Sequence, residues 1–151
     1  MKRKIILNGR VLDKIAELTR KYNEVENGGL IYGRMNPKWV HIFDVSDAGK
    51  HAKRSRSGVI FDTEYLIQYT NQKLKEDLFV IGTWHSHPTG YSLYPSSIDK
   101  NTMQKINKRF DPLHYPVFMI TKWESNKLYF NLYEINEDNR ISEILLYEIV
   151  E

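Results

Sequence analysis

The sequence predicts a mixed α/β fold in which helices flank a central β-sheet. Three observations lead to it. Apolar residues recur at helical spacing near the start, short runs of β-branched and aromatic residues bounded by turn residues fill much of the rest, and no repeat, linker or low-complexity block divides residues 1–151 into more than one domain. With 151 residues and 41% hydrophobic content, the chain can bury a core without covalent staples.

The elements follow in order. Val11, Leu12, Ile15 and Leu18 share one helical face and predict an amphipathic helix over residues 9–22. Strands are expected at 29–34 and 39–45, and the turn residues Met35-Asn36-Pro37-Lys38 between them predict a hairpin. Residues 49–58 read as a loop. A second helix over 63–75, with Tyr65, Leu66, Tyr69 and Leu74 apolar, leads into a buried strand at 78–84. Met103, Ile106 and Phe110 mark a third helix beginning near Asp99. Strands at 115–121, 127–135 and 141–149 complete the chain, separated by turns at Glu124-Ser125-Asn126 and Asn136-Glu137-Asp138-Asn139. The last two are expected to pair as a hairpin, although Ile144, Leu145, Tyr147 and Ile149 fit either a strand or a short helix.

Composition excludes several functions. The chain has no cysteine, which rules out a disulfide framework, a thiolate metal site and a cysteine protease, and is compatible with a reducing cytosol. The first apolar run, Ile5-Ile6-Leu7, is too short for a signal peptide or a membrane span, so a soluble cytoplasmic protein without membrane contact is expected. His51, Lys53, Arg54 and Arg56 form a local basic cluster in a chain of formal net charge only +3. Without a base-stacking motif this reads as a solvated loop rather than a nucleic-acid surface, with an acidic protein partner as a further reading.

The chemistry concentrates in Trp84-His85-Ser86-His87-Pro88 and Pro95-Ser96-Ser97-Ile98-Asp99. His85 and His87, two residues apart at a strand end, project from one face and can close on one ion. Asp99 lies past the turn-prone residues 89–95, which can fold back to bring its carboxylate beside the two rings. Two histidines and one carboxylate leave a zinc ion one open position for water, as catalytic sites require. Each part also has an ordinary structural reading: the histidines as surface residues, and Ser96-x-x-Asp99 as a helix-capping pair. A metal site explains them together. Upstream, Glu26 precedes Gly28-Gly29 and a short apolar strand, and a glutamate outside the ligand set can serve as general base, with Glu24 as competitor. The two glycines allow close approach to another backbone. Trp84, Tyr91 and Tyr94 are candidates for lining a substrate groove, though aromatic residues near a strand end also pack as core.

In this order, Glu26-Asn27-Gly28-Gly29-Leu30-Ile31-Tyr32-Gly33, His85-Ser86-His87-Pro88 and Ser96-Ser97-Ile98-Asp99 resemble the JAMM metalloproteases, also called the JAB or MPN+ family. The resemblance implies an MPN/JAB-like domain holding one Zn2+ per chain on His85, His87 and Asp99. It further implies Glu26 as acid/base and Ser96 as a hydrogen-bond donor to the oxyanion. The implied activity is a zinc metallopeptidase of the isopeptidase type, acting after the carboxy terminus of a ubiquitin-like protein or its conjugate. Short members with Trp-His-Ser-His-Pro look like bacterial forms that accompany ubiquitin-like activating and conjugating enzymes, often in antiphage defence. One departure from the pattern is that eleven residues, rather than the usual ten, separate His87 from Asp99; a bulge at 91–94 is expected to absorb the extra one. Two rivals stand beside this reading: a non-catalytic MPN-type interaction module, and a RadC-like DNA-associated domain, which shares the histidine and Ser-x-x-Asp motifs.

Overall fold

The computed structural model describes residues 2–151. Its elements are β1 (Lys4–Asn8), α1 (Gly9–Lys21), β2 (Gly28–Asn36), β3 (Trp39–Val45), β4 (Lys53–Ser55), β5 (Gly58–Ile60), α2 (Thr63–Leu74), β6 (Phe79–Ser86), α3 (Ser97–Asn107), β7 (Val117–Glu124), β8 (Lys127–Ile135), β9 (Ile141–Ile144) and β10 (Glu148–Val150). Eight strands form a mixed sheet in the order β10-β1-β3-β2-β6-β7-β8-β9. The pairs β1–β10, β1–β3 and β6–β7 are parallel and the others antiparallel.

The sheet must curl. Its two edges, β9 and β10, are joined by only residues 145–147. Laid flat, eight strands would separate those edges by roughly 34 Å. The four steps from Ile144 to Glu148 reach at most about 14 Å. Inside the curl lies α1, which touches β1 and β3 on one side and β7 and β8 on the other. Its Val11, Ile15 and Thr19 are buried, and Ile15 joins Leu7, Ile31, Ile42, Ile81, Trp84 and Met119 in the main core. The other face of the sheet carries a second cluster, in which Met103 of α3 meets Phe118, Ile120, Tyr133 and Ile135. Because both faces are covered, β7 begins as an uninterrupted buried run from Val117 to Thr121.

The expected helices and the hairpins β2–β3 and β8–β9 are present, with small shifts at their ends. The turn between β7 and β8 places Ser125 and Asn126 at positive φ, as a two-residue hairpin turn requires. Four expectations need correction. Residues 4–8 form a strand, although a five-residue run carries too little alternation to predict one. The loop at 49–58 contains half of a small hairpin, β4–β5, in which the polar residues Lys53-Arg54-Ser55 pair with Gly58-Val59-Ile60 and so satisfy their backbone groups. The strand expected at 115–121 starts at Val117, after Pro116, which has no N–H to donate. The last segment is two strands rather than one: β9 pairs with β8, and β10 crosses to the opposite edge and pairs with β1.

Candidate metal centre

The centre forms where β2 and β6 run antiparallel, with Gly28 opposite His85. The strands come so close here that a Cβ on Gly28 would lie 2.6 Å from Trp84 O, so only glycine fits, and Glu26 is thereby delivered beside the histidine strand. β6 does not stop at residue 84, the end expected from its apolar run. It runs to Ser86 and includes His85, while the His87 N–H donates to Thr121 O at 2.8 Å and holds the next residue against β7.

Three donor atoms converge. His85 Nε2 and His87 Nε2 are 3.2 Å apart, and Asp99 Oδ2 is 3.2 Å from the first and 3.1 Å from the second. Among the described residues, this is the one group of three metal-ligating side chains that meet so closely. His87 Nδ1 donates to Ser92 O at 2.6 Å, which turns Nε2 toward the Asp99 carboxylate, where the neutral ring presents a lone pair and the charged ring an N–H. Two facing acceptors repel unless a proton or a metal cation stands between them. Burial raises the Asp99 carboxyl, but hydrogen bonds and charge from His85 and His87 reverse this and hold it far below the usual carboxylate range. Burial lowers His87, and its contacts with Asp99 and Ser92 O raise it. The three atoms thus favour positive charge among them. Their spacing also fits: ligands at tetrahedral zinc bond lengths lie roughly 3.3 Å from one another.

Asp99 is the third residue of α3, and its placement depends on the helix cap. Ser96 Oγ accepts from the Asp99 N–H at 3.0 Å, and Asp99 Oδ2 accepts from the Ser96 N–H at 2.9 Å. The cap and the His85–His87–Asp99 triangle therefore share Asp99 Oδ2. The Ser96 hydroxyl acts as acceptor in the cap and keeps its hydrogen free to donate. The longer loop is also accommodated: Tyr133 donates to Leu93 O at 2.7 Å, Thr89 donates to Trp123 O at 2.7 Å, and Ser92 O orients His87.

Glu26 lies outside the triangle but lines the same groove, of about 220 Å³, as His85 and Asp99. Val59 and Phe61 form one wall, and Ile98, Met103 and Ile106 of α3 the other. Burial raises the Glu26 carboxyl above its ordinary value, partly offset by His85. Its N–H donates to Ser55 O at 2.7 Å, which ties the residue to the β4–β5 hairpin.

Sequence reasoning missed the groups that hold Glu26 in place. Asn27 is fully buried; its N–H donates to Ser86 Oγ and its carbonyl accepts the Ser86 N–H, clamping Glu26 to the residue between the two histidines. Arg54 donates to Asn27 Oδ1 at 2.8 Å, pairs with Asp47 at 3.1 Å and lies over the Tyr22 ring. The basic cluster is thereby divided: Arg54 is committed inside the protein, whereas Lys53 and Arg56 are exposed. Nothing in the residue pattern separated them. Trp84 is fully buried and donates its indole N–H to Ser46 O at 2.8 Å, so its side chain belongs to the core while the residue also lines the groove. Tyr91 and Tyr94 are exposed on the loop between His87 and Asp99, and Arg56 reaches the Tyr91 hydroxyl at 3.5 Å.

Comparisons with known proteins agree with this arrangement. COP9 signalosome complex subunit 5 of Eremothecium gossypii is 30% identical over 91 residues, which are 59% of this chain and 21% of that protein, so the chain matches about a fifth of its relative's length. The solution structure of a protein from Desulfitobacterium hafniense superposes with a TM-score of 0.71 over 97% of this chain and 91% of the other, at 21% identity, a likeness of fold. The sequence profile of the prokaryotic homologs of the JAB domain matches residues 9–131, and the chain belongs to that family.

Proposed function

We propose that the protein is a zinc-dependent metallopeptidase that hydrolyses the peptide or isopeptide bond after the carboxy terminus of a ubiquitin-like protein. The observation that carries this reading is the triangle of His85 Nε2, His87 Nε2 and Asp99 Oδ2, with sides of 3.1 to 3.2 Å, which opens into a groove holding an unligated glutamate. Zinc bound there would supply Lewis acidity and acidify a bound water. Glu26 takes a proton from the attacking water and returns it to the leaving amine, and its partial burial keeps the carboxylate basic enough for both transfers. The Ser96 hydroxyl donates to the oxygen on which negative charge develops. Asn27 and Ser86 hold the base and the ligands in one frame.

The substrate side of the reading rests on the groove and on family likeness. Among the described residues β5 pairs only with β4, so its other edge can add an extended chain terminus as a further strand, with side chains entering between Phe61 and Met103. A ubiquitin-like tail has this form. Removal of conjugates or processing of precursors alongside activating and conjugating enzymes, in an antiphage system of the cytoplasm, is the setting that the sequence likeness suggests. No helix among the described residues is long and apolar enough to cross a membrane.

The test pairs metal analysis with cleavage of a ubiquitin-like protein fused at its carboxy terminus to a reporter. Near-stoichiometric zinc, cleavage after the ubiquitin-like terminus, and loss and recovery of cleavage on chelation and zinc addition are expected. Absence of zinc after reconstitution would transfer the weight to a non-catalytic interaction module.

A further inference from the structure

A second cavity, of about 300 Å³, opens beside α1, α2 and the end of β3 and shares no lining residue with the groove at the metal centre. It depends on a bulge. β3 pairs Ile42 with Gly33 and Asp44 with Tyr32, so Phe43 is an extra residue in the ladder. A bulge re-aims side chains that strict alternation would send to opposite faces. Both Phe43 and Asp44 line the cavity.

The cavity carries surplus positive charge. Lys14 Nζ lies 2.9 Å from Asp44 Oδ1, and Lys73 Nζ lies 2.7 Å from Asp44 Oδ2, so one carboxylate serves two ammonium groups. Glu76, half exposed and 3.5 Å from Lys73, supplies a second negative charge. Arg10, one helical turn before Lys14, adds a third cation; it is exposed and has no carboxylate within ion-pair distance among the described residues. The Lys14–Asp44–Lys73 pairing explains two of the cations and leaves Arg10 and the open volume unexplained. Side chains four apart on a helix surface stand roughly 6 Å apart, a gap that one carboxylate or phosphate group spans. Phe43, Val11 and Leu78 supply the apolar part of the lining.

We propose that this cavity binds a small organic anion, its carboxylate or phosphate held between Arg10 and Lys14 and its apolar body against Phe43, Val11 and Leu78. The volume is at the lower end of the range for small-molecule sites. The site is independent of the peptidase reading, because neither its residues nor its ligand involves the metal centre.

The test is a titration of the purified protein with phenyl phosphate, benzoate and inorganic phosphate, followed by backbone amide NMR shifts. Saturable shifts at residues 10–14, 43–44 and 73–78 are expected, with inorganic phosphate weaker than phenyl phosphate. Tighter phenyl phosphate assigns a phosphate ligand, and tighter benzoate a carboxylate. Arg10→Ala, at an exposed position that leaves the fold intact, should weaken binding by roughly tenfold, the loss of one charge-assisted hydrogen bond. Three outcomes overturn the proposal: no saturation with either aromatic anion, unchanged affinity in Arg10→Ala, or shifts confined to the surroundings of His85 and Asp99. Equal affinity for inorganic and phenyl phosphate overturns its apolar part.

Discussion

Asp99 Oδ2 lies 3.1 Å from His87 Nε2 although eleven residues of chain separate the two. The closure depends on the first turn of α3, where the same oxygen accepts the Ser96 N–H. Asp99→Ala should therefore remove a ligand and half of the capping box together. Elemental analysis of purified protein should find close to one zinc per wild-type chain and a large loss in the variant; equal zinc in both would remove Asp99 from the ligand set.

Glu26 should separate chemistry from metal binding, because it lines the groove without belonging to the ligand triangle. Glu26→Gln keeps the side-chain volume and removes the base. Zinc content and unfolding temperature should stay at wild-type values while turnover of a ubiquitin-like fusion falls by on the order of 10²- to 10⁴-fold. Turnover near the wild-type rate would assign the proton transfers elsewhere.

Ser96 carries two roles that substitution can resolve. Ser96→Ala should cost about 1 kcal/mol of stability through the lost cap. It should also slow turnover by on the order of 10²-fold if the hydroxyl serves the oxyanion. Ser96→Asn retains a capping acceptor, so recovery of stability in chemical denaturation without recovery of rate would identify the second role.

Arg54 should prove structural in spite of its place in a basic run. Its bonds to Asn27 and Asp47 are largely shielded from solvent. Arg54→Ala should lower stability by about 2 to 3 kcal/mol, the scale of a charged hydrogen bond lost from a partly buried network. Lys53→Ala, at an exposed site, should change unfolding by less than about 0.5 kcal/mol.

Asp44 predicts an acid-sensitive contribution to stability. Burial raises its carboxyl, but hydrogen bonds from Lys73, Tyr69 and Lys14 more than reverse this, so it sits below its ordinary value of 3.8. A carboxyl depressed on folding contributes stability above the unfolded value, and the contribution is lost as the pH falls through the folded one. Between about pH 5 and pH 3, the stability of Asp44→Asn should fall less steeply than that of the wild type. Parallel slopes would mean that the ion pairs add nothing to folding.

Much of the scaffold was legible in the residue pattern because it rests on local rules. The spacing of Val11, Ile15 and Leu18 marked α1, and Asn36-Pro37 marked the β2–β3 turn. The segments that misled are those whose state depends on distant partners. β1 and β10 are strands because they pair with each other and β1 also pairs with β3, and the polar residues of β4 extend because they pair with Gly58-Val59-Ile60 of β5.

The sequence by itself determined the identities and order of the candidate metal-centre residues, since His85 and His87 share a face through backbone geometry and Ser96 and Asp99 are joined by helix capping. Only the tertiary structure decided that Ser92 O orients His87, that Asn27 and Arg54 hold the Glu26 segment, that Trp84 belongs to the core, and that a bulge turns Phe43 and Asp44 into a second cavity. Periodicity and capping act over a few residues and are written in neighbouring side chains. Carbonyl acceptors, buried amides and strand register are fixed by segments tens of residues away, whose approach follows from the packing of the whole chain.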